Sequence, residues 1–310
     1  MRVLKNSNSD RLLVVIAGPT AVGKTRIAIE IARFFHTEIL SADSRQFYRE
    51  MKIGTAVPTD SELSLVKHHF IGNLSIHEPY NVSRYETDAL ALLDPLFLRH
   101  NIIVMAGGSG LYIRAVCEGI DVLPDPDPTL RNRLKNIFAN EGILPLQQML
   151  AQLDPDYFAI VDKQNPVRLM RAIEVCEMSG KTFTKLRQQQ TQVRKFSVLK
   201  IGIFLERHVL NQQINARVDS MIAQGLVEEA RYLYPFRNCN ALNTVGYSEL
   251  FAFFDGKISL EQAIINIKTN TRRYAKRQIT WLNKENNLHI FSPGQIPEIL
   301  QCISEHTIHS

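Results

Sequence analysis

The sequence predicts an α/β fold: a parallel sheet core with crossover helices, an inserted all-helical domain, and a helical C-terminal region. Three observations lead there. Apolar strand-type runs alternate with helix-period stretches over the first third of the chain. A proline break at VLPDPDPTLR, with Pro124, Pro126 and Pro128, stops that alternation. A buried-strand pattern then returns at SVLKIGIFLER. The expected boundaries are residues 1–123 for the first part of the core, 124–196 for the inserted domain, and 197–310 for core completion and basic C-terminal helices.

The first apolar run, LLVVIAG, reads as a buried strand and falls far short of the ~20 residues a membrane span needs. The polar RVLKNSNSD ahead of it lacks the pattern of a secretory signal. TRIAIEIARFF follows as a helix, TEILSADS as a strand run and NIIVMAGG as another. From about Thr129 to Lys195 the period and cap signals are helical, and Asn165 followed by Pro166 forms an N-cap and first-turn pair for VRLMRAIEVCEMSG. After SVLKIGIFLER the chain reads mostly as helix to about Asn283.

Composition narrows the class. A chain of 310 residues with 45% apolar residues can bury a sizeable core. Cys117, Cys176, Cys239 and Cys302 are scattered without a C-x-x-C pair, which argues against a disulfide framework or a zinc site and for a reducing cytoplasm. A net charge of +5 leans toward a polyanionic partner.

Gly18-Pro19-Thr20-Ala21-Val22-Gly23-Lys24-Thr25 fits G-x-x-x-x-G-K-[ST] between a strand and a helix, as a phosphate loop requires. Successive backbone N–H groups would converge on phosphate oxygens, Lys24 adds a point charge, and the Thr25 hydroxyl is placed to hold Mg²⁺. The strand run IIVMAGGSGLY ends in small residues without the metal-associated Asp of most ATPases and GTPases, and no Asn-Lys-x-Asp motif occurs. Mainstream nucleotide hydrolysis is thereby weakened.

Asp43, in EILSADSRQFYR, lies just past a strand run, where ligands of parallel sheets bind. It is either a general base or a cap on the turn that follows. Gly107-Gly108-Ser109-Gly110 is either a loop that lets backbone approach a ligand or a plain tight turn. Arg217, in LNQQINARVDSMIAQGLVEEA, flanks a stripe of Ile214, Val218 and Met221; it is a solvated face residue unless it reaches the phosphate loop, where it would neutralise a leaving group. Near the end, SLEQAIINIKTNTRRYAKRQITWLNK sets Lys268, Arg272 and Lys276 on one helix face beside Arg273 and Arg277, with no acid between Glu261 and Glu285. That strip is either solvated or meets a phosphate backbone. Arg168 and Arg171 form a second basic pair.

Taken in order, GPTAVGKT, DSRQFYREMKIGTAVP, HHFI, GGSGLY, NPVRLMRAIEV, TVGYSEL and RRYAKRQITWL closely resemble the tRNA dimethylallyltransferases, from about Leu12 to Trp281. The resemblance implies a P-loop NTPase-like core. It also implies transfer of a dimethylallyl group from dimethylallyl diphosphate to N6 of adenosine 37 in tRNAs reading codons that begin with U. Asp43, Arg217 and Thr20 would then be catalytic, and residues Gly18 to Thr25 would hold the diphosphate, with Mg²⁺ on Thr25. The implied tRNA contacts are Asp43, Ser44, Arg45, Gln46, Ser109, Arg131, Val167, Arg168, Leu169, Met170, Arg171, Gly246, Tyr247, Arg272, Lys276 and Arg277. An amide such as Gln46 can read an adenine edge. Ser109 stands where the family usually has Thr, and the tail past Trp281 holds only Cys302 as a cysteine, so the chain looks like the bacterial form. A cytoplasmic monomer with no membrane partner is expected. Two other readings stand beside this one: a small-molecule kinase with ATP on the loop and Asp43 as base, and an RNA-binding module whose phosphate loop is vestigial.

Overall fold

The computed structural model describes residues 11–188 and 191–308; the polar leader at 2–10 lies outside them. The chain divides into two compact units, one of residues 1–117 and 193–310, the other of residues 118–192.

The larger unit is built on β1 (Leu12–Ala17), whose residues are all buried. Side chains of a strand alternate between faces, and here each face has its own core: Leu13 and Val15 pack on one side, Val14 and Ile16 on the other. A strand covered on both faces must be apolar throughout, which is why LLVVIA shows no alternation. The chain continues through α1 (Lys24–Phe34), β2 (Ile39–Ser41), α2 (Asp60–Leu65), β3 (His68–His69), α3 (Val82–Leu96), β4 (Ile102–Gly107) and α4 (Gly110–Glu118).

The smaller unit holds α5 (Pro128–Glu141), α6 (Leu144–Leu153), α7 (Pro155–Ile160), α8 (Pro166–Ser179) and α9 (Phe183–Leu186). Local chemistry starts these helices: Asp127, Asp154, Asn165 and Thr182 accept the backbone N–H three residues on, and α5 to α8 each carry proline in the first turn. Leu134, Leu146, Leu150, Leu169 and Ile173 form its core.

The larger unit resumes with β5 (Ser197–Ile203), α10 (Arg207–Ala223), α11 (Leu226–Leu233), α12 (Tyr247–Phe254), α13 (Leu260–Leu282), β6 (Leu288–Phe291) and α14 (Ile296–Ile308). The described residues form one six-stranded sheet in the order β3-β2-β4-β1-β5-β6. Every pairing in it is parallel. The connection leaving β1 runs toward β2 and that leaving β4 runs toward β5, in opposite directions across the sheet. Such a reversal opens a crevice beyond the strands' carboxyl ends.

Two strands escape the sequence reading. β3 is two histidines and β6 is LHIF, both too short for a period to show. TEILSADS contributes only Ile39–Ser41 to its strand.

Candidate functional site

The phosphate loop closes over the carboxyl end of β1. Gly23 sits at φ 93°, a left-handed conformation that hands the chain into α1 without a side-chain cap, so the first N–H groups of that helix stay open to an anion. Lys24 donates from Nζ to the Pro19 carbonyl at 2.8 Å. Burial lowers its pKa to about 8, against the opposing pull of Asp43 and with the help of Arg217.

A cavity of about 90 Å³ is lined by Thr20, Lys24, Thr25, Ser41, Asp43, Gln46, Arg217 and Gln278 among others. A second, of about 100 Å³, is lined by Thr20, Asp43 and Arg217 again, now with an apolar wall of Ile214, Val218, Met221, Leu226, Val245 and Ile267. Arg45, Thr244, Gly246, Thr271 and Tyr274 add a polar side. The two cavities therefore share Thr20, Asp43 and Arg217.

Both readings of Asp43 hold at once. Its Oδ1 accepts the Arg45 N–H at 3.1 Å, as a turn cap does, while its side chain lines both cavities. Arg217 is not a solvated face residue. Its Nε is buried without a hydrogen-bond partner, and desolvation lowers its pKa despite the attraction of Asp43. An orphaned buried donor beside a depressed lysine is a site short of negative charge. Burial and the Asp43 charge push the Tyr274 phenol up to about 12, so it remains a neutral donor.

Several of the expected contact residues already hold partners within the chain. Gln46 donates from Nε2 to the carbonyls of Thr55 and Ala56, so its amide holds a loop rather than standing free for a base edge. Arg45 donates to the carbonyls of Asn240, Ala241 and Asn243. Ser109 Oγ accepts the Ser44 N–H at 3.0 Å and bonds the Ser44 hydroxyl at 3.2 Å, pinning the turn after Asp43. The glycine loop beside it is shaped by its own chain: a Cβ on Gly108 would lie 2.1 Å from Gln278 Nε2. Tyr247 is fully buried with its hydroxyl on Glu229.

In the smaller unit, Leu169 and Met170 belong to the core and Arg131 is ion-paired with the buried Glu174. Arg171 donates to the Pro124 carbonyl at 2.7 Å and lies 3.5 Å from Glu174. Val167 and Arg168 are exposed. The basic strip on α13 is partly compensated, because tertiary packing supplies what its own helix lacks. Lys268 pairs with Asp219 at 2.6 Å and Arg272 bonds Asn215 at 2.7 Å, which leaves Arg273, Lys276 and Arg277 as its exposed cations.

Two groups were missed from sequence. Gln278 accepts the Thr20 N–H on Oε1 at 2.8 Å and donates to the Gly108 carbonyl at 2.9 Å, tying phosphate loop to glycine loop. The only signal was an amide on the buried side of a basic helix. Glu249 accepts the Gly246 N–H at 2.8 Å and the Asn270 amide at 2.7 Å, anchoring TVGYSEL to α13.

Comparison with known proteins points one way. The family model described as IPP transferase matches residues 46–285. A tRNA dimethylallyltransferase of Christiangramia forsetii is 52% identical over 279 residues, covering 90% of this chain and 92% of that protein. A tRNA dimethylallyltransferase 1 of Bacteroides fragilis is 45% identical over 94% of this chain and 97% of that one. Among solved structures, the full-length tRNA isopentenylpyrophosphate transferase of Bacillus halodurans superposes with TM-score 0.72 at 33% identity, covering 96% of this chain and 97% of the other.

Proposed function

The chain belongs to the IPP transferase family, and from that premise we propose how its site carries out the reaction. It is a tRNA dimethylallyltransferase: it moves the dimethylallyl group of dimethylallyl diphosphate onto N6 of adenosine 37. The observation that carries the site reading is that two cavities meet at Thr20, Asp43 and Arg217.

The cavity on the phosphate loop takes the diphosphate and the apolar one admits the adenosine, so the allylic carbon lies where they join. There the N6 nitrogen forms its bond to that carbon while the carbon–oxygen bond to diphosphate breaks. The amine's proton passes to the Asp43 carboxylate. Diphosphate leaves carrying the bonding electron pair, one added negative charge, which the α1 amides, Lys24 and the Arg217 guanidinium are placed to stabilise. These are the groups found short of negative charge, so they fit an anion better than they fit each other.

Among the described residues no cluster of three His, Cys, Asp or Glu side chains is placed to hold a metal alone. A divalent ion fits here as a partner of the diphosphate, held on the protein side by the Thr25 hydroxyl in the first turn of α1. It would supply charge neutralisation on the leaving group. Arg273, Lys276 and Arg277 on α13 and Arg168 on α8 are exposed cations suited to an RNA backbone. Adenosine 37 must leave its stack to reach the cavity, at a cost of a few kcal/mol that such contacts offset.

A kinase using Asp43 as base would need the phosphate loop but gives the exposed cations of α13 no role. Incubation with Mg²⁺, labelled dimethylallyl diphosphate and an anticodon stem-loop carrying A36-A37-A38 tests the reading. Label on N6 of adenosine 37 without ATP is expected. Absence of label with ATP consumed instead would overturn it.

A further inference from the structure

Residues 52–58 form a wall common to both cavities: Gly54 and Thr55 line the second, Ala56 and Pro58 the first. No helix or strand holds this segment. It is fastened by one side chain from α11. Glu229 Oε2 accepts the backbone N–H of Lys52 at 2.9 Å and of Ile53 at 2.8 Å, and Oε1 accepts that of Gly54 at 2.9 Å. Oε1 also accepts the Tyr247 hydroxyl at 2.7 Å.

Successive backbone N–H groups converging on one anion form a nest of the kind that binds phosphate. Here the chain fills it with its own carboxylate, which itself lies outside both cavities. The far side of the wall is held by Gln46, on the carbonyls of Thr55 and Ala56, and by the Thr55 hydroxyl on the Met51 carbonyl. Donors at 52–54 are thus gripped from one side and the carbonyls of Thr55 and Ala56 from the other.

We propose that Glu229 is a positioning residue of the transfer reaction: its carboxylate sets the wall at 52–55 against which the acceptor nucleoside is seated. It touches neither substrate. The proposal rests on the transferase reading above. Its chemical logic is that misplacing a reacting group by about 1 Å costs on the order of 10²-fold in rate, while binding of a diphosphate held elsewhere is barely affected. Glutamine in place of Glu229 keeps the shape but presents an N–H₂ group to backbone donors, so at least one of the three amides loses its acceptor.

The test uses the full chain with Glu229→Gln and Glu229→Asp. Steady-state transfer to the stem-loop is measured with labelled donor, and hydrogen exchange of the amides at 52–54 is followed below the melting temperature of each variant. The expected result for Glu229→Gln is a kcat lowered at least tenfold, a KM for dimethylallyl diphosphate within twofold of wild type, and faster exchange confined to 52–54. Glu229→Asp should recover part of both effects. A wild-type kcat in Glu229→Gln overturns the proposal. So does a loss of activity that merely tracks unfolding, with exchange raised evenly across the chain. If the wild-type protein transfers no label, the transferase reading fails instead, and the exchange at 52–54 still decides whether Glu229 holds the wall.

Discussion

Two carboxylates bracket the same strand, β2, and their surroundings differ. Glu38, just before the strand, is met by His69 Nε2 at 2.6 Å, Arg99 at 3.1 Å, and Lys67 and His100 at 3.6 Å. Burial pushes its pKa up, but the His69 hydrogen bond and the charges of Lys67 and Arg99 outweigh that, and it ends below its ordinary value. Asp43, just past the strand, has one backbone donor on its carboxylate, and the cations near it, Lys24 and Arg217, are themselves held at a cost. At one end of the sheet charge is cancelled on the spot. At the other it is left over for a ligand, which places stability and chemistry at opposite ends of a strand three residues long.

The contrast can be broken at either end. The largest effect is expected from Asp43→Ala, which removes the proposed proton acceptor: kcat should fall on the order of 10³-fold. Its melting temperature and stem-loop affinity should stay close to wild type, and a large loss of affinity would make Asp43 a binding residue instead. Next, Arg217→Ala should lower kcat on the order of 10²-fold by removing the donor proposed for the leaving diphosphate. Because that guanidinium is buried without a partner at Nε, the variant should melt no lower than wild type; a clear drop would place Arg217 on the stability side of the comparison.

At the other end, Glu38→Gln should cost about 2 kcal/mol in denaturant unfolding and leave kcat per folded molecule unchanged. Since the folded pKa of Glu38 lies below its ordinary 4.5, its contribution is present above that pH and is lost as the pH falls through the folded value. Wild type should therefore lose more stability than Glu38→Gln between pH 5 and pH 3, both read as urea midpoints. The smallest effect concerns Lys24. With a pKa of about 8 in the free protein, it loses its charge as the pH rises past that value, so inorganic diphosphate should bind roughly tenfold more weakly at pH 9 than at pH 7. Lys24→Arg should flatten that slope in calorimetric titrations, which separates the side chain's titration from the ligand's.

Most of the fold could be read locally. The run LLVVIA is apolar because both its faces are covered, and Asn165 caps α8 because its side chain reaches the Arg168 N–H three residues on. β3 and β6 could not be read, since a pair of histidines or LHIF becomes a strand only when an edge is already present to pair with. In the site, the phosphate loop and the place of Asp43 were legible from motif and strand end. That Gln46 and Arg45 bond backbone carbonyls, and Arg131 and Tyr247 carboxylates, within the chain was not legible, because those partners come from other loops and helices. The basic strip on α13 also needed the structure, since Asp219 and Asn215 belong to another helix.

By itself, the sequence determined the parallel core, the helical insertion and the presence of a phosphate cradle, because periodicity, caps and glycine spacing act within a few residues of chain. Only the tertiary structure decided which charges stay unpaired. Gln278 meets Thr20 across 258 positions, Glu229 meets the wall at Gly54 across 175, and Arg217 enters the site by the packing of α10. Such partners are set by the whole core closing at once, so their spacing along the chain carries no signal.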